Sequence, residues 1–144
     1  MYEVSVHDII VTPLKRIPTQ GGDVMHVMKK SDLGYSGFGE AYFSWAEQGS
    51  VKAWKRHLSM TINLVVPVGS VSFAFVDEKG NQREEMIGEQ CYQRITVPPG
   101  LWFGFVGISS PSSLIINVAN IPHDPAEVER REMENINFDW LGKV

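Results

Sequence analysis

The chain of 144 residues contains one cysteine, Cys91, and four histidines, no two of them at the i, i+4 spacing by which a helix holds zinc. A single thiol excludes an internal disulfide and a cysteine-rich metal site. Helical periodicity is nearly absent, and no apolar run approaches the length of a membrane span. Charge of one sign is scarce as well: 13 basic against 17 acidic residues leave a net charge of -4. That balance excludes a general attraction to nucleic acid or to an anionic membrane, so any basic site must be local. Glu3 and Asp8 interrupt the N-terminus before a signal-peptide core can form, and the expected location is the cytoplasm.

Familiar catalytic patterns are missing too. The glycines of Gly34-Tyr35-Ser36-Gly37-Phe38-Gly39 have the wrong spacing for a dinucleotide fingerprint, and a strand is expected to follow them. No serine lies in a nucleophile-elbow context.

What is present is a succession of short segments rich in β-branched and aromatic residues, punctuated by Gly, Pro, Asn and Asp. This is the pattern of a sandwich or barrel. Strands are expected at 9–15, 24–28, 39–45, 51–57, 60–67, 70–77, 92–97, 102–106 and 114–119. In 70–77, Val71, Phe73 and Phe75 alternate with Ser70, Ser72 and Ala74, so the aromatic face turns inward. Asp77-Glu78-Lys79-Gly80-Asn81 reads as a turn. Pro98-Pro99-Gly100 forces a bend, because proline fixes φ and glycine tolerates conformations closed to other residues. One short helix is expected after His123, with Asp124 as N-cap, Pro125 as first residue and an end near Glu132. No linker or repeat divides the chain, and the expectation is one all-β domain over 1–144 with one short C-terminal helix.

The most unusual segment is Val51-Lys52-Ala53-Trp54-Lys55-Arg56-His57, which crowds three cations, a histidine and an indole into one strand. An acidic protein that does this points to an anionic ligand. On a regular strand Ala53, Lys55 and His57 share one face and Lys52, Trp54 and Arg56 the other, so both sets serve one pocket only if a bulge intervenes. The small residues Val51 and Ala53 favour the Lys55/His57 face as inward. The competing reading is an edge strand guarded by lysine, with Trp54 in the core.

Around this strand the chain resembles the dTDP-4-dehydrorhamnose 3,5-epimerase family over nearly its full length. The similarity runs through Asp8-Ile9-Ile10-Val11-Thr12-Pro13-Leu14, Gly21-Gly22-Asp23-Val24, the strand 51–57, Asn63 to Val71, Ile95 to Phe105 with its Pro-x-Gly turn, Asn120 to Glu127, and Ile136-Asn137-Phe138-Asp139-Trp140. The resemblance implies a small cupin-type (jelly-roll) barrel and a role in deoxysugar or surface-polysaccharide biosynthesis. The activity implied is epimerisation or isomerisation of a nucleotide sugar of the dTDP-4-keto-6-deoxyhexose type. It also implies a homodimer, with Ile9, Val11, Leu14 and Ile17 able to cover a partner's sheet.

The family's reactive positions are changed. Its catalytic histidine falls on Lys55, its lysine on Asn63 and a further histidine on Phe103, while its tyrosine should lie near Ile116. Lys52 keeps a cation where the family has an arginine close to the substrate. Lys55 and His57 are therefore the candidate catalytic residues, since a lysine inside an apolar barrel loses ammonium solvation and can act as a base near neutrality. Lys52, Asn63, Arg94, Trp102 and Phe103 are the candidate substrate-binding residues, with Lys52 and Arg94 near the pyrophosphate.

A metal-dependent cupin needs two histidines two apart, a following acid and a further histidine beyond the Pro-x-Gly turn. Only His57 is present, and no metal or other cofactor is expected. The alternative to an enzyme is a non-catalytic cupin that binds a sugar or nucleotide, which the lost acid and base groups would explain.

Overall fold

The computed structural model describes residues 3–140 and Gly142. The strands, in chain order, are β1 (Ile10–Pro13), β2 (Arg16–Ile17), β3 (Val24–Met25), β4 (Glu40–Glu47), β5 (Val51–His57), β6 (Ile62–Val68), β7 (Ser70–Val76), β8 (Gln82–Gly88), β9 (Gln93–Val97), β10 (Trp102–Gly107), β11 (Ser112–Ala119) and β12 (Val128–Arg130). They form two five-stranded sheets, β1-β9-β6-β11-β4 and β12-β5-β10-β7-β8, with β2 and β3 as a separate ribbon. Pairing within both large sheets is antiparallel.

Alternation along the strands builds the core between these sheets. Ile62, Leu64 and Val66 of β6, Val71, Phe73 and Phe75 of β7, and Ile95 and Val97 of β9 turn inward and pack in one buried cluster. The small groups on the other side of β7 have a separate use. Ala74 joins Trp54, Trp102, Val106 and Trp140 in a second cluster on the outer face of that sheet, which Ile136 and Phe138 of the C-terminal segment complete. Each buried indole removes on the order of 200 Å² from water. At about 25 cal/mol per Å² that is a gross transfer term of roughly 5 kcal/mol, enough to hold a segment without regular structure of its own.

The turn at Asp77 ties the N-terminus down. Its carboxylate accepts from the backbone N–H of Val6, Lys79 and Asn81 and from the Asn81 amide. The Pro98-Pro99-Gly100 bend carries Gly100 at φ +99, and its N–H donates to the His57 carbonyl at 2.8 Å, docking the bend on the end of β5.

The structure corrects the expected C-terminal helix. Asp124 does cap Ala126 N–H and Pro125 does open a helical turn, but the element is a single 3-10 turn, Pro125–Glu127. Val128 is β-branched, and the chain gains more by pairing with β5 as β12, with Val128 opposite His57 and Arg130 opposite Lys55. Strand β8 also escaped the sequence reading, because Gln82, Arg83, Glu84 and Glu85 give it a charged, half-exposed pattern. That composition suits its place at a sheet edge. Ile9 is buried in the chain's own core with Val11 packed against it, and β1 pairs with β9 of the same chain. No helix of the described residues is long and apolar enough to cross a membrane.

Candidate active site

Strand β5 reaches its function through a bulge. Opposite β10, Lys55 pairs with Phe103 and Ala53 with Gly104, so Trp54 is an extra residue on the β5 side. The shift returns Lys52 to the face of Lys55 and His57, opposite Phe105 and Phe103, while Trp54 turns outward and its indole N–H donates to the Met133 carbonyl at 3.1 Å. Gly104 permits this: a Cβ there would lie 2.6 Å from the Ala53 Cβ. The two faces that a regular strand would separate thus contribute to one wall.

That wall bounds a cavity of about 730 Å³ between the sheets. Lys52, Lys55, Phe103 and Phe105 line it from one sheet; Tyr42, Ser44, Leu64, Ile115 and Asn117 line it from the other. Arg130, Arg131, Glu132 and Asn135 form its rim, brought there by β12 and by paired backbone bonds between Trp54 and Arg131. None of Lys52, Lys55 and Arg130 is ion-paired with a described residue. Burial pushes the Lys55 ammonium below the usual lysine range, and the Arg130 guanidinium pushes it further. Its Nζ lies 6.0 Å from the centre of the Phe103 ring.

His57 lies on the same face of the strand but beneath the cavity lining. Its Nδ1 is 2.6 Å from Glu127 Oε1, and since a carboxylate only accepts, Nδ1 carries the proton. Glu127 Oε2 accepts from Ser59 and Met60 N–H. Burial alone would raise the Glu127 pKa, but the His57 bond and these two N–H donors hold it below the usual carboxylate range. Burial lowers the His57 value despite Glu127, so the pair is a neutral imidazole against a carboxylate. His57 Nε2 is buried without a partner, and the ring stacks on Phe103 with centroids 6.0 Å apart.

Of the residues singled out in the sequence, Lys52, Lys55 and Phe103 come together in the cavity with His57 beneath them. Asn63, Arg94 and Trp102 do not. Asn63 faces away from the core, accepting from Thr96 Oγ1 at 2.5 Å and donating to the Gly34 carbonyl. Arg94 is fully buried beneath the 27–33 loop, donating to the carbonyls of Val27 and Leu33 and to Asp32. Trp102 lies on the outer face, where the guanidinium carbons of Arg56 and Arg131 sit 4.6 and 4.4 Å from its ring centre. Sequence reasoning missed Tyr42, Asn117, Arg130 and Arg131. For Tyr42 a signal existed, since Tyr42 and Ser44 alternate with Phe43 and Trp45. Among the described residues no three His, Cys, Asp or Glu side chains gather as a metal-ligand group.

Two antiparallel sheets enclose a pocket with cations on one wall that are unpaired among the described residues, a concave site whose charge suits a small anionic ligand. A dTDP-sugar isomerase from Desulfovibrio desulfuricans G20 is 35% identical and superposes with a TM-score of 0.90, over 95% of this chain and 93% of that one. A probable low-salt glycan biosynthesis epimerase of Haloferax volcanii is 29% identical over 143 residues, covering 94% of this chain and 90% of its relative. The dTDP-4-dehydrorhamnose 3,5-epimerase of Sulfolobus tokodaii shares the fold at 19% identity, with a TM-score of 0.79 over 91% of this chain and 81% of that one. No protein-family model matches the sequence. The chain belongs to the family of dTDP-sugar isomerases and dTDP-4-dehydrorhamnose 3,5-epimerases.

Proposed function

We propose that this protein epimerises or isomerises a nucleotide-linked 4-keto-6-deoxyhexose, without a metal, in cytoplasmic deoxysugar or surface-polysaccharide synthesis. The observation that carries the reading is the desolvated, unpaired Lys55 inside the cavity. A lysine kept there at a cost in stability is suited to take a proton from the carbon beside a ketone, because its neutral amine is populated closer to neutral pH. Held neutral by burial and anchored by Glu127, His57 backs this wall from beneath the cavity lining, and its Nε2 is the second proton acceptor of the reading. Lys52 and Arg130 meet the diphosphate at the cavity mouth, and Phe103 packs against the sugar or base. The scaffold in this reading is a single cupin-type jelly roll, with its core and cavity between the two sheets.

The homodimer has support on the opposite side of β4. Phe43 and Trp45 are 63% and 59% exposed on a strand whose alternate residues face the cavity. Their cross-strand partners Ile116 and Leu114 extend an apolar face that a second copy would cover. Light scattering is expected to give twice the chain mass, and a monomer would remove this part of the proposal.

The test of activity is solvent exchange. In D2O, dTDP-4-keto-6-deoxyglucose is expected to gain deuterium beside its ketone only when protein is present. Lys55 and Ile116, which stand where the family has its histidine and tyrosine, favour a second reading, a pocket that binds without turnover. It predicts no exchange but a raised melting temperature with dTDP, about 2.7 kcal/mol of added stability at 100 times the dissociation constant. Neither exchange nor a thermal shift would defeat both readings.

A further inference from the structure

Taking one proton from the carbon beside a ketone uses one acceptor, and β5 supplies two groups, the Lys55 amine and His57 Nε2. They are held differently. Glu127 fixes the His57 proton on Nδ1, leaves Nε2 as the acceptor and sets a carboxylate against the imidazolium that proton uptake forms. Lys55 has no such partner among the described residues. Its register partner on β12 is a second cation, Arg130, and Lys52 lines the same cavity. Burial and the Arg130 guanidinium hold the Lys55 pKa below the usual lysine range, against the pull of Glu127 and Glu40. An amine kept uncharged by desolvation and a neighbouring cation is a nucleophile toward a carbonyl carbon. Both groups also lie against one ring, since Lys55 Nζ and the His57 imidazole are each 6.0 Å from the centre of Phe103. Nucleophile and base are two residues apart on one face of the strand, a separation of about 6.5 Å along the chain.

Resting on the reading of the cavity as a keto-sugar site, we infer that Lys55 bonds to the ketone carbon of its ligand as an imine, and that His57 takes the neighbouring proton from this covalent intermediate. Lys55 Nζ adds its lone pair to the carbon and the C=O electron pair moves to oxygen. That oxygen gains protons from the nitrogen and from solvent and leaves as water while C=N forms. The protonated imine nitrogen then draws electrons: the adjacent C–H bond breaks, its proton passes to His57 Nε2, and its electron pair forms the C=C of an enamine. Return of a proton to carbon restores the imine, and water cleaves the C–N bond to release a ketone and free Lys55. The water lost in the first step is taken up in the last, so no oxidant or further reactant is needed. The substrate class is thereby narrowed to ligands that carry a free ketone or aldehyde.

A base and a nucleophile at Lys55 both predict loss of exchange when the residue is replaced; only the nucleophile predicts an adduct. The experiment therefore incubates the protein with dTDP-4-keto-6-deoxyglucose and sodium cyanoborohydride, which reduces imines and spares ketones near neutral pH, and locates any adduct by peptide mass spectrometry. One sugar nucleotide is expected on Lys55, with none when the reductant is left out and none in Lys55→Arg, which keeps the cation but not the condensing amine. Excess dTDP should protect the site. His57→Gln separates the two roles: it is expected to form the adduct within about threefold of the wild-type rate, while deuterium uptake beside the ketone in D2O falls by at least about 100-fold. Wild type that takes up deuterium but yields no adduct overturns the covalent step and leaves the proposed function standing. An adduct on Lys52 with Lys55 unmodified, or wild-type exchange by Lys55→Arg, overturns it as well. If wild type shows neither deuterium uptake nor an adduct, the inference and the reading beneath it both fall.

Discussion

Arg94 and Lys55 are a buried and a half-buried cation on two sheets of one molecule, and their surroundings are opposite. Arg94 is 0% exposed, and its guanidinium donates to two backbone carbonyls and to Asp32. Lys55 is partly desolvated and has no ion pair among the described residues, and the Arg130 guanidinium lowers its pKa further while Glu127 and Glu40 oppose from a distance. The first arrangement fastens a loop and pairs both terminal nitrogens of the guanidinium, leaving Nε without a partner among the described residues; the second costs stability and leaves a reactive amine facing a cavity. Burial of a cation therefore says little about function until its partners are counted.

The sharpest way to break this comparison is Lys55→Met. If Lys55 is the base, exchange of the keto-sugar falls by about 10³-fold, within the range for general base catalysis. The same substitution replaces a strained ammonium by an apolar side chain of similar length, so the melting temperature rises. A variant that lost activity by unfolding would show the reverse, and calorimetry alongside the exchange assay separates the two.

Next in size is Arg94→Leu. It removes the donor from the carbonyls of Val27 and Leu33, and leaving such acceptors unpaired costs on the order of 3 kcal/mol in total. Denaturant unfolding should record that loss while the exchange rate at low temperature stays within about twofold. A large fall in turnover of a still-folded Arg94→Leu would show that the two cations are not divided as described.

These residues also show where the sequence was legible. Strand β5 is read correctly from end to end because its boundaries are local. The Val71/Phe73/Phe75 face and the bend at Gly100 are legible for the same reason, since alternation and proline act within a few residues. The requirement for a bulge was visible in the charges of β5, but its position was not. It depends on Gly104 approaching Ala53 across the sheet. Arg94 resembled a site residue because a cation in a strand looks the same whether or not distant carbonyls await it. Arg130 enters the cavity rim only because Val128 and its neighbours continue β12 along β5, a pairing over more than 70 positions. Helix signals at Asp124 and Pro125 were real but governed a single turn.

The smallest expected effect concerns pH and tests whether His57 belongs with Lys55 or with Arg94. Its folded pKa lies below the usual 6.5, chiefly through burial, with Glu127 opposing and Lys55 and His123 adding to the depression. Below pH 6.5 the unfolded chain therefore binds a proton that the folded chain refuses, and stability declines until the folded value is passed. Glu127 and Asp77 act lower down. Both are depressed in the fold, so their stabilisation is complete above their ordinary values of 4.5 and 3.8 and is lost as pH falls through the folded ones. His57→Gln removes the upper limb and leaves the carboxylate limb, so its stability should be flat from pH 7 to about 5 where wild type slopes. If His57 is only a structural partner of Glu127, as Arg94 is of its loop, that change in slope should leave the acid side of the exchange profile unmoved. If its Nε2 accepts protons during turnover, the acid limb of the exchange profile moves in the same variant, and that coincidence places it beside Lys55.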